Sequence, residues 1–302
     1  MLELKLRRAV FAADRTAMDL QTAYKREKRA DTPPHRVFFD WEIIHSCGYK
    51  CEYCWFTRAG WEKFTPDSAL PSFEAVLRAW ERAYELYGCC HINITGGEPS
   101  LFPRFFELVA RLSQLHFLEI QTNLNFPPEK LIASAGPGRL HIAATFHPAK
   151  ENADNFISKA RQFRQAGFEV YGNFLAHPAQ LELVPELRKK FAAAGLPFYV
   201  QRYDGPCGGK SYPAAYEESQ LAVMEDRAPR EQAAVVPRFA PAAPKADCLC
   251  RMGQMYAKIQ PDGRAYRCRT VAYEKDVRPP FYLGNILMDP AFELSSEALP
   301  CG

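Results

Sequence analysis

Three cysteines stand close together in the segment HSCGYKCEYCWF: Cys47, Cys51 and Cys54, spaced C-x3-C-x2-C. Three thiolates on one compact loop suit a soft metal. A structural zinc site takes four protein ligands, and no fourth Cys or His follows closely. His45 is near enough to be weighed, although a histidine on an alternating strand is more often packed or solvated. On a four-iron, four-sulfur cube, three cysteines leave one iron without a protein ligand. An open iron is a place for a substrate or cofactor. Further along, Ile92-Asn93-Ile94-Thr95 runs into Gly96-Gly97-Glu98-Pro99. Two glycines permit a sharp backbone path close to a ligand. Glu98 can accept a hydrogen bond from a cationic amine, and Pro99 stops the strand.

A second group lies in the tail: Cys248, Cys250, Cys268 and Cys301. Between Cys250 and Cys268 the sequence reads MYAKI, then Pro261-Asp262-Gly263, then RAYRC, a hairpin signal of two alternating strands around a turn. Four thiolates around a hairpin suit zinc as well as an iron–sulfur cluster. Cys207, in GPCGGK between flexible glycines, is a further candidate ligand, whereas Cys89 and Cys90 read as core thiols at the start of a strand.

The elements that must position these residues follow from periodicity. Strands are expected near 37–44, 90–95, 116–121, 139–145, 168–174 and 197–202. Helices are expected near 71–87, 103–113, 128–134, 152–166 and 180–194. In 71–87 the apolar stripe is Phe73, Val76, Leu77, Trp80 and Tyr84. A repeated strand–helix rhythm argues for parallel strands covered by helices. In such folds ligands bind at the C-terminal strand ends. Those ends carry Gln121, Thr122 and Asn123, then Thr145, Phe146 and His147, then Asn173 within strand five, then Gln201 and Tyr203. His147 can be a proton donor, a cofactor contact or a strand cap. Residues 204–247 break the rhythm, and the Pro/Ala-rich 228–246 cannot be a continuous helix or a central strand.

Composition narrows the class. The chain has 302 residues, 47% hydrophobic and 24% charged, as in a globular protein. A net charge of +3, without an aromatic-interleaved basic patch, gives no reason to invoke nucleic acid. There is no run of 18 apolar residues and no secretion signal, so a cytoplasmic protein without a membrane span is expected. In that reducing compartment the clustered ones among ten cysteines read as metal ligands or catalytic groups rather than disulfides.

The cysteine triplet, with Tyr53 just before its third member and GGEP 42 residues on, resembles the signature of the radical S-adenosylmethionine (radical SAM) superfamily. The tail (cysteine, hairpin, Gly263, four residues, Cys268) resembles the start of a SPASM or twitch domain, shortened here. The resemblance implies an α/β fold: a partial (β/α)6 barrel of the radical SAM type with a small C-terminal, β-hairpin-containing, twitch-like domain. The expected divisions are a basic helical extension at 1–36, the barrel at 37–204, a crossover at 205–247 and the twitch-like domain at 248–302. It implies that Cys47, Cys51 and Cys54 hold a 4Fe–4S cluster, whose free iron is chelated by S-adenosylmethionine. The reduced cluster cleaves that cofactor to a 5′-deoxyadenosyl radical, which takes a hydrogen atom from substrate. Tyr53, Gly96, Gly97, Glu98, Pro99, Asn123, Thr145 and Asn173 would line the cofactor, and Glu98, His147 and Tyr203 would take catalytic roles. An auxiliary 4Fe–4S cluster would sit on Cys250, Cys268 and Cys301, with Cys248 or Cys207 as fourth ligand or an iron left open. The tail would cover the barrel mouth. A reductant such as flavodoxin or ferredoxin would supply electrons. The short tail points to an oxidoreductase acting on a small molecule; the alternatives are a maturase of a ribosomally made peptide and a non-catalytic cluster-bearing binding protein.

Overall fold

A computed structural model of the protein describes residues 37–226, 249–274 and 276–300. The extension 1–36 with its expected helix, the stretch 228–246, Cys248 and Cys301 lie outside the described residues. Six strands fall where the periodicity places them: β1 Phe38–Ile44, β2 His91–Gly96, β3 Phe117–Thr122, β4 Leu140–Phe146, β5 Glu169–Ala176 and β6 Phe198–Arg202. They pair in parallel in that order. Helices Phe73–Tyr87, Phe105–Leu115, Pro128–Ile132, Ala153–Gln165 and Val184–Ala193 connect them. Among the described residues no helix is long and apolar enough to cross a membrane.

One face of the sheet is the hydrophobic core. Phe39, Trp41, Ile92, Ile94, Leu118, Ile120 and Ile142 alternate along β1 to β4 and bury completely against the helices. Helix Phe73–Tyr87 shows how the sequence sets such a contact. Ser72 caps its start by accepting the N–H of Ala75 at 3.2 Å, and Gly88, at φ 75°, ends it. Its buried Trp80 then meets Phe39 and Trp41, each at 5.2 Å between ring centroids.

The other face is buried and polar. Asp40 accepts from Asn93 at 3.0 Å, and Asn93 accepts from Gln121 at 3.1 Å. Tyr171 donates to Glu119 at 2.5 Å. A strand that alternates apolar and polar while burying both sides needs such a network, because buried polar groups must be paired.

The tail departs from expectation in one respect. Its hairpin forms, with β10 Tyr256–Ile259 and β11 Arg264–Tyr266 around the Pro261–Gly263 turn. It does not stand apart but joins the barrel's own sheet: β10 pairs in parallel with β1, from Phe38↔Tyr256 to Trp41↔Ile259. With β12 Tyr282–Asn285 beyond β11, the sheet has nine strands in the order β12-β11-β10-β1-β2-β3-β4-β5-β6. The physical reason is the edge of β1, whose N–H and C=O groups would otherwise lack partners. Lys258 on β10, 1% exposed, fixes the join by ion pairs to Asp40 (3.2 Å) and Glu42 (3.0 Å) of β1. A separate small sheet pairs β9 Leu249–Cys250 with β13 Leu299–Pro300.

The region read as an irregular crossover from 205 also has structure. β7 Gly205–Cys207 and β8 Lys210–Tyr212 form a hairpin, and Glu218–Glu225 is helical. Gly208 and Gly209 turn at φ 56° and 74°, the mirror-image turn that suits a two-residue hairpin.

Candidate active site

The cysteine loop leaves the C-terminal end of β1 and is held by the end of β2. Gly97 N–H donates to Ile44 O at 2.8 Å, and Glu98 N–H donates to Ser46 O at 2.9 Å. A Cβ on Gly96 would stand 2.0 Å from Ile44 O; one on Gly97 would stand 2.2 Å from the carbonyl oxygens of both His45 and Ser46. The glycines are thus required by the backbone of the cysteine loop itself, where sequence reasoning placed a ligand. Glu98 is 2% exposed. Its carboxylate accepts from Ser100 N–H (3.1 Å), Thr122 Oγ1 (2.8 Å) and Asn123 N–H (2.8 Å). Burial raises its pKa, against the pull of these donors. Glu98 is therefore a bracket between the ends of β2 and β3, with room for about one further donor among the four or so lone-pair sites of a carboxylate.

The three thiols share one neighbourhood. Burial raises the pKa of Cys51, and the charges of Cys47 and Cys54 push it further; burial raises Cys47, with Glu98 and Cys54 adding to it. Donors surround them. Tyr49 N–H points at Cys47 Sγ (3.4 Å), Asn123 Nδ2 lies 3.9 Å from the same sulfur, and His147 Nδ1 lies 3.7 Å from Cys51 Sγ. Among the described residues no three His, Cys, Asp or Glu side chains close around a single metal ion. A cluster instead places each thiolate on its own iron, so the ligands stand wider apart. Three neighbouring thiols, with two N–H donors aimed at Cys47 and the His147 ring beside Cys51, fit such a group.

The strand ends bring together most of the expected residues. Thr145 and Asn173 are direct neighbours in the β4–β5 register. His147 sits beyond β4 with Tyr53 Oη 2.9 Å from its Nδ1 and the Tyr53 ring stacked at 6.0 Å. Burial lowers the His147 pKa to about 4, so its ring is neutral near pH 7. Pro99 is buried at the first position of a short turn behind the loop. Tyr203 packs in one cluster with Cys51 and Tyr53, but its hydroxyl donates to Pro206 O at 3.0 Å. Sequence reasoning missed Tyr49, His177 and Arg58. Tyr49 meets His147 edge-on at 5.7 Å, His177 meets Tyr203 at 4.8 Å, and Arg58 lies 5.3 Å from the Tyr203 ring centre. The signal for His177 was its place just after a strand end. His45 is a bridge: it pairs with Glu42 at 2.9 Å and accepts Thr65 N–H at 3.0 Å.

In the tail, Cys250 lies on β9 and Cys268 just after β11, with Thr270 Oγ1 2.9 Å from the Cys268 sulfur. Cys207 packs against the aromatic cluster around Cys51 and Tyr53. Cys90 is fully buried, as a core thiol should be, and Cys89 is half-buried beside Arg139.

A partial barrel with a thiolate triplet on the β1 loop, bracketed by a Gly-Gly-Glu turn, is the architecture of the radical SAM fold. Residues 41–182 match the family model described as the Radical SAM superfamily, so the chain carries a radical SAM domain. Among curated proteins it is similar to a PqqA peptide cyclase of Gluconobacter oxydans, with 28% identity, covering 79% of this chain and 72% of that protein. Among solved structures it is similar to Streptococcus suis SuiB bound to S-adenosylmethionine (TM-score 0.58, 16% identity, 90% of this chain and 69% of that one). SuiB has also been solved bound to its precursor peptide SuiA (TM-score 0.54, 14% identity, 84% and 63%). A third neighbour is anSMEcpe with bound AdoMet and Cp18Cys peptide (TM-score 0.55, 16% identity, 83% and 78%). The tail shares its fold with the SPASM/twitch-type auxiliary domains of such neighbours.

Proposed function

We propose that the protein is a radical SAM enzyme that modifies a peptide. The observation that carries this reading is the match to a peptide cyclase along 79% of the chain. The fold neighbours recorded with peptides support it. So does the sheet: β6 and β12 end it without pairing to each other, leaving a side-open barrel that suits an extended chain better than a closed pocket. The small-molecule reading has less beside it: the short tail, and a likeness to a GTP 3',8-cyclase that covers 26% of the chain.

In this reading Cys47, Cys51 and Cys54 would hold a 4Fe–4S cluster beside bound S-adenosylmethionine. Together these groups would supply reductive cleavage of the cofactor and hydrogen-atom abstraction. The protein's own part is to hold and insulate. Tyr49 N–H and Asn123 brace Cys47; the Tyr53–His147 pair braces Cys51. Glu98 fixes the turn that carries Gly96 and Gly97. Thr145 and Asn173, side by side at the ends of β4 and β5, would take the cofactor's polar groups. A neutral His147 serves as a positioning group. Tyr203, with its hydroxyl committed to Pro206 O, forms an aromatic wall with His177 rather than a proton relay. The tail would hold a second cluster on Cys250 and Cys268, with Cys248 and Cys301 as further ligands. A flavodoxin- or ferredoxin-type reductant in the cytoplasm completes the system, and the net reaction on the peptide is an oxidation or a crosslink.

The test is anaerobic reconstitution with S-adenosylmethionine and reductant. Short peptides encoded beside the gene are compared with a panel of amino sugars and alcohols. 5′-Deoxyadenosine formation together with a mass change in a peptide is expected. Turnover of a small molecule with every peptide unchanged would overturn the reading.

A further inference from the structure

Arg267 is 2% exposed, and its guanidinium makes four hydrogen bonds, all to backbone carbonyls. Nε donates to Met252 O at 2.6 Å, Nη1 to Pro300 O at 2.8 Å, and Nη2 to Cys250 O at 3.1 Å and to Leu299 O. The residue is itself next to Cys268. One side chain therefore ties three segments: the β9 strand that bears Cys250, the turn that bears Cys268, and β13. Phe281 lies 5.7 Å from the guanidinium carbon. Gly253, at φ +93°, leaves the stem its room, since a Cβ there would stand 2.8 Å from Arg267 Cγ. A buried cation with no carboxylate partner among the described residues is costly, and β9 and β13 are only two residues each, too short to hold together by their own ladder. Fold stability alone gives a two-residue ladder little reason to carry a buried guanidinium. Gathering the backbone around an anionic thiolate site does give one, because carbonyls and thiolates both favour a cation.

We infer that Arg267 is the positioning residue of the tail cysteine site: it sets the spacing of Cys250 and Cys268 and places a fixed positive charge beside whatever their thiolates bind. This rests on the proposed second cluster. Charge and hydrogen bonding around cluster sulfurs set the reduction potential. A guanidinium held there should keep that potential higher than a neutral side chain would.

The experiment uses the full chain carrying C47A/C51A/C54A, so that only the tail site loads iron. Iron and sulfide are counted, and the potential is read by redox titration followed by electron paramagnetic resonance. With Arg267 intact, about four irons per chain are expected. Arg267→Gln should drop this to below about one. Arg267→Lys keeps the charge but cannot span four carbonyls. It should load less iron than arginine, and what it loads should give an altered resonance. If no iron loads with Arg267 intact, the second-cluster reading fails, and this inference with it. If iron loads and both substitutions leave content, resonance and potential unchanged, Arg267 is only a structural strut and the inference alone is overturned. Should Arg267→Gln not fold, the lysine variant decides the matter.

Discussion

At the scale of single residues, Glu98 shows how a motif residue earns its place. It joins two strand ends through three hydrogen bonds, one from a hydroxyl and two from backbone N–H groups. Glu98→Gln keeps the shape but must aim an amide N–H₂ at one of these donors. The expected cost is about 2 kcal/mol of stability, the price of leaving a buried donor unmet, with weakened iron binding at the triplet. Denaturant unfolding of the apo chain and iron counting on the reconstituted one check the two effects. Stability equal to wild type would show that the bracket is dispensable. The motif was legible in the sequence, since Gly96-Gly97-Glu98-Pro99 stands out beside the cysteine triplet. The wiring was not: nothing in the letters of Thr122 or Asn123 says that they close on a glutamate more than twenty residues earlier. Tyr203 was legible as a strand-end aromatic, but the backbone carbonyl that takes its hydroxyl comes from a hairpin whose Gly-Gly turn was not read as one.

At the scale of elements, the contact between the β2 turn and the cysteine loop is backbone against backbone. Gly97→Ala would place a methyl 2.2 Å from two carbonyl oxygens that neighbouring strands hold in position. A loss of about 3 kcal/mol or more is expected, in the range of other severe local clashes. Gly48→Ala, with nothing within 4 Å of the added atom, should be close to neutral. Comparing thermal unfolding of the two variants checks this; equal midpoints would remove the argument for the close approach. The parallel strands were legible because each covers one apolar face and ends in a turn. β10 was legible as half of a hairpin, but its partner β1 was not, since periodicity carries no information on distant pairing. That pairing buries Glu42 with Lys258, His45 and Tyr273. Burial raises its pKa, but Lys258 and the hydrogen bonds of His45 and Tyr273 outweigh it, leaving a value of about 2 against an ordinary 4.5. A lowered carboxylate pKa adds stability above the unfolded value and loses it as pH falls through the folded one. Of the order of 3 kcal/mol should disappear between pH 4.5 and about 2. Glu42→Gln should flatten that part of the pH–stability curve; an unchanged slope would contradict the ion-pair hub.

At the scale of the whole molecule, barrel and tail share one sheet, and Lys258 is the charged rivet between them. Lys258→Met leaves Asp40 and Glu42 buried together without their cation. The expected cost is about 3–5 kcal/mol, as for breaking any buried ion pair by removing one member. It should appear as a single earlier unfolding transition; a tail that melts separately while the barrel transition stays put would show two independent units instead. The pairing of Phe38 with Tyr256 also has a temporal side. On the ribosome, β1 and its cysteines emerge long before the strand that flanks them. At about 5–20 residues per second, β1 waits roughly 10 to 45 seconds for its neighbour. Any metal delivered to the cysteine triplet of the nascent chain would meet a strand bordered on one side only.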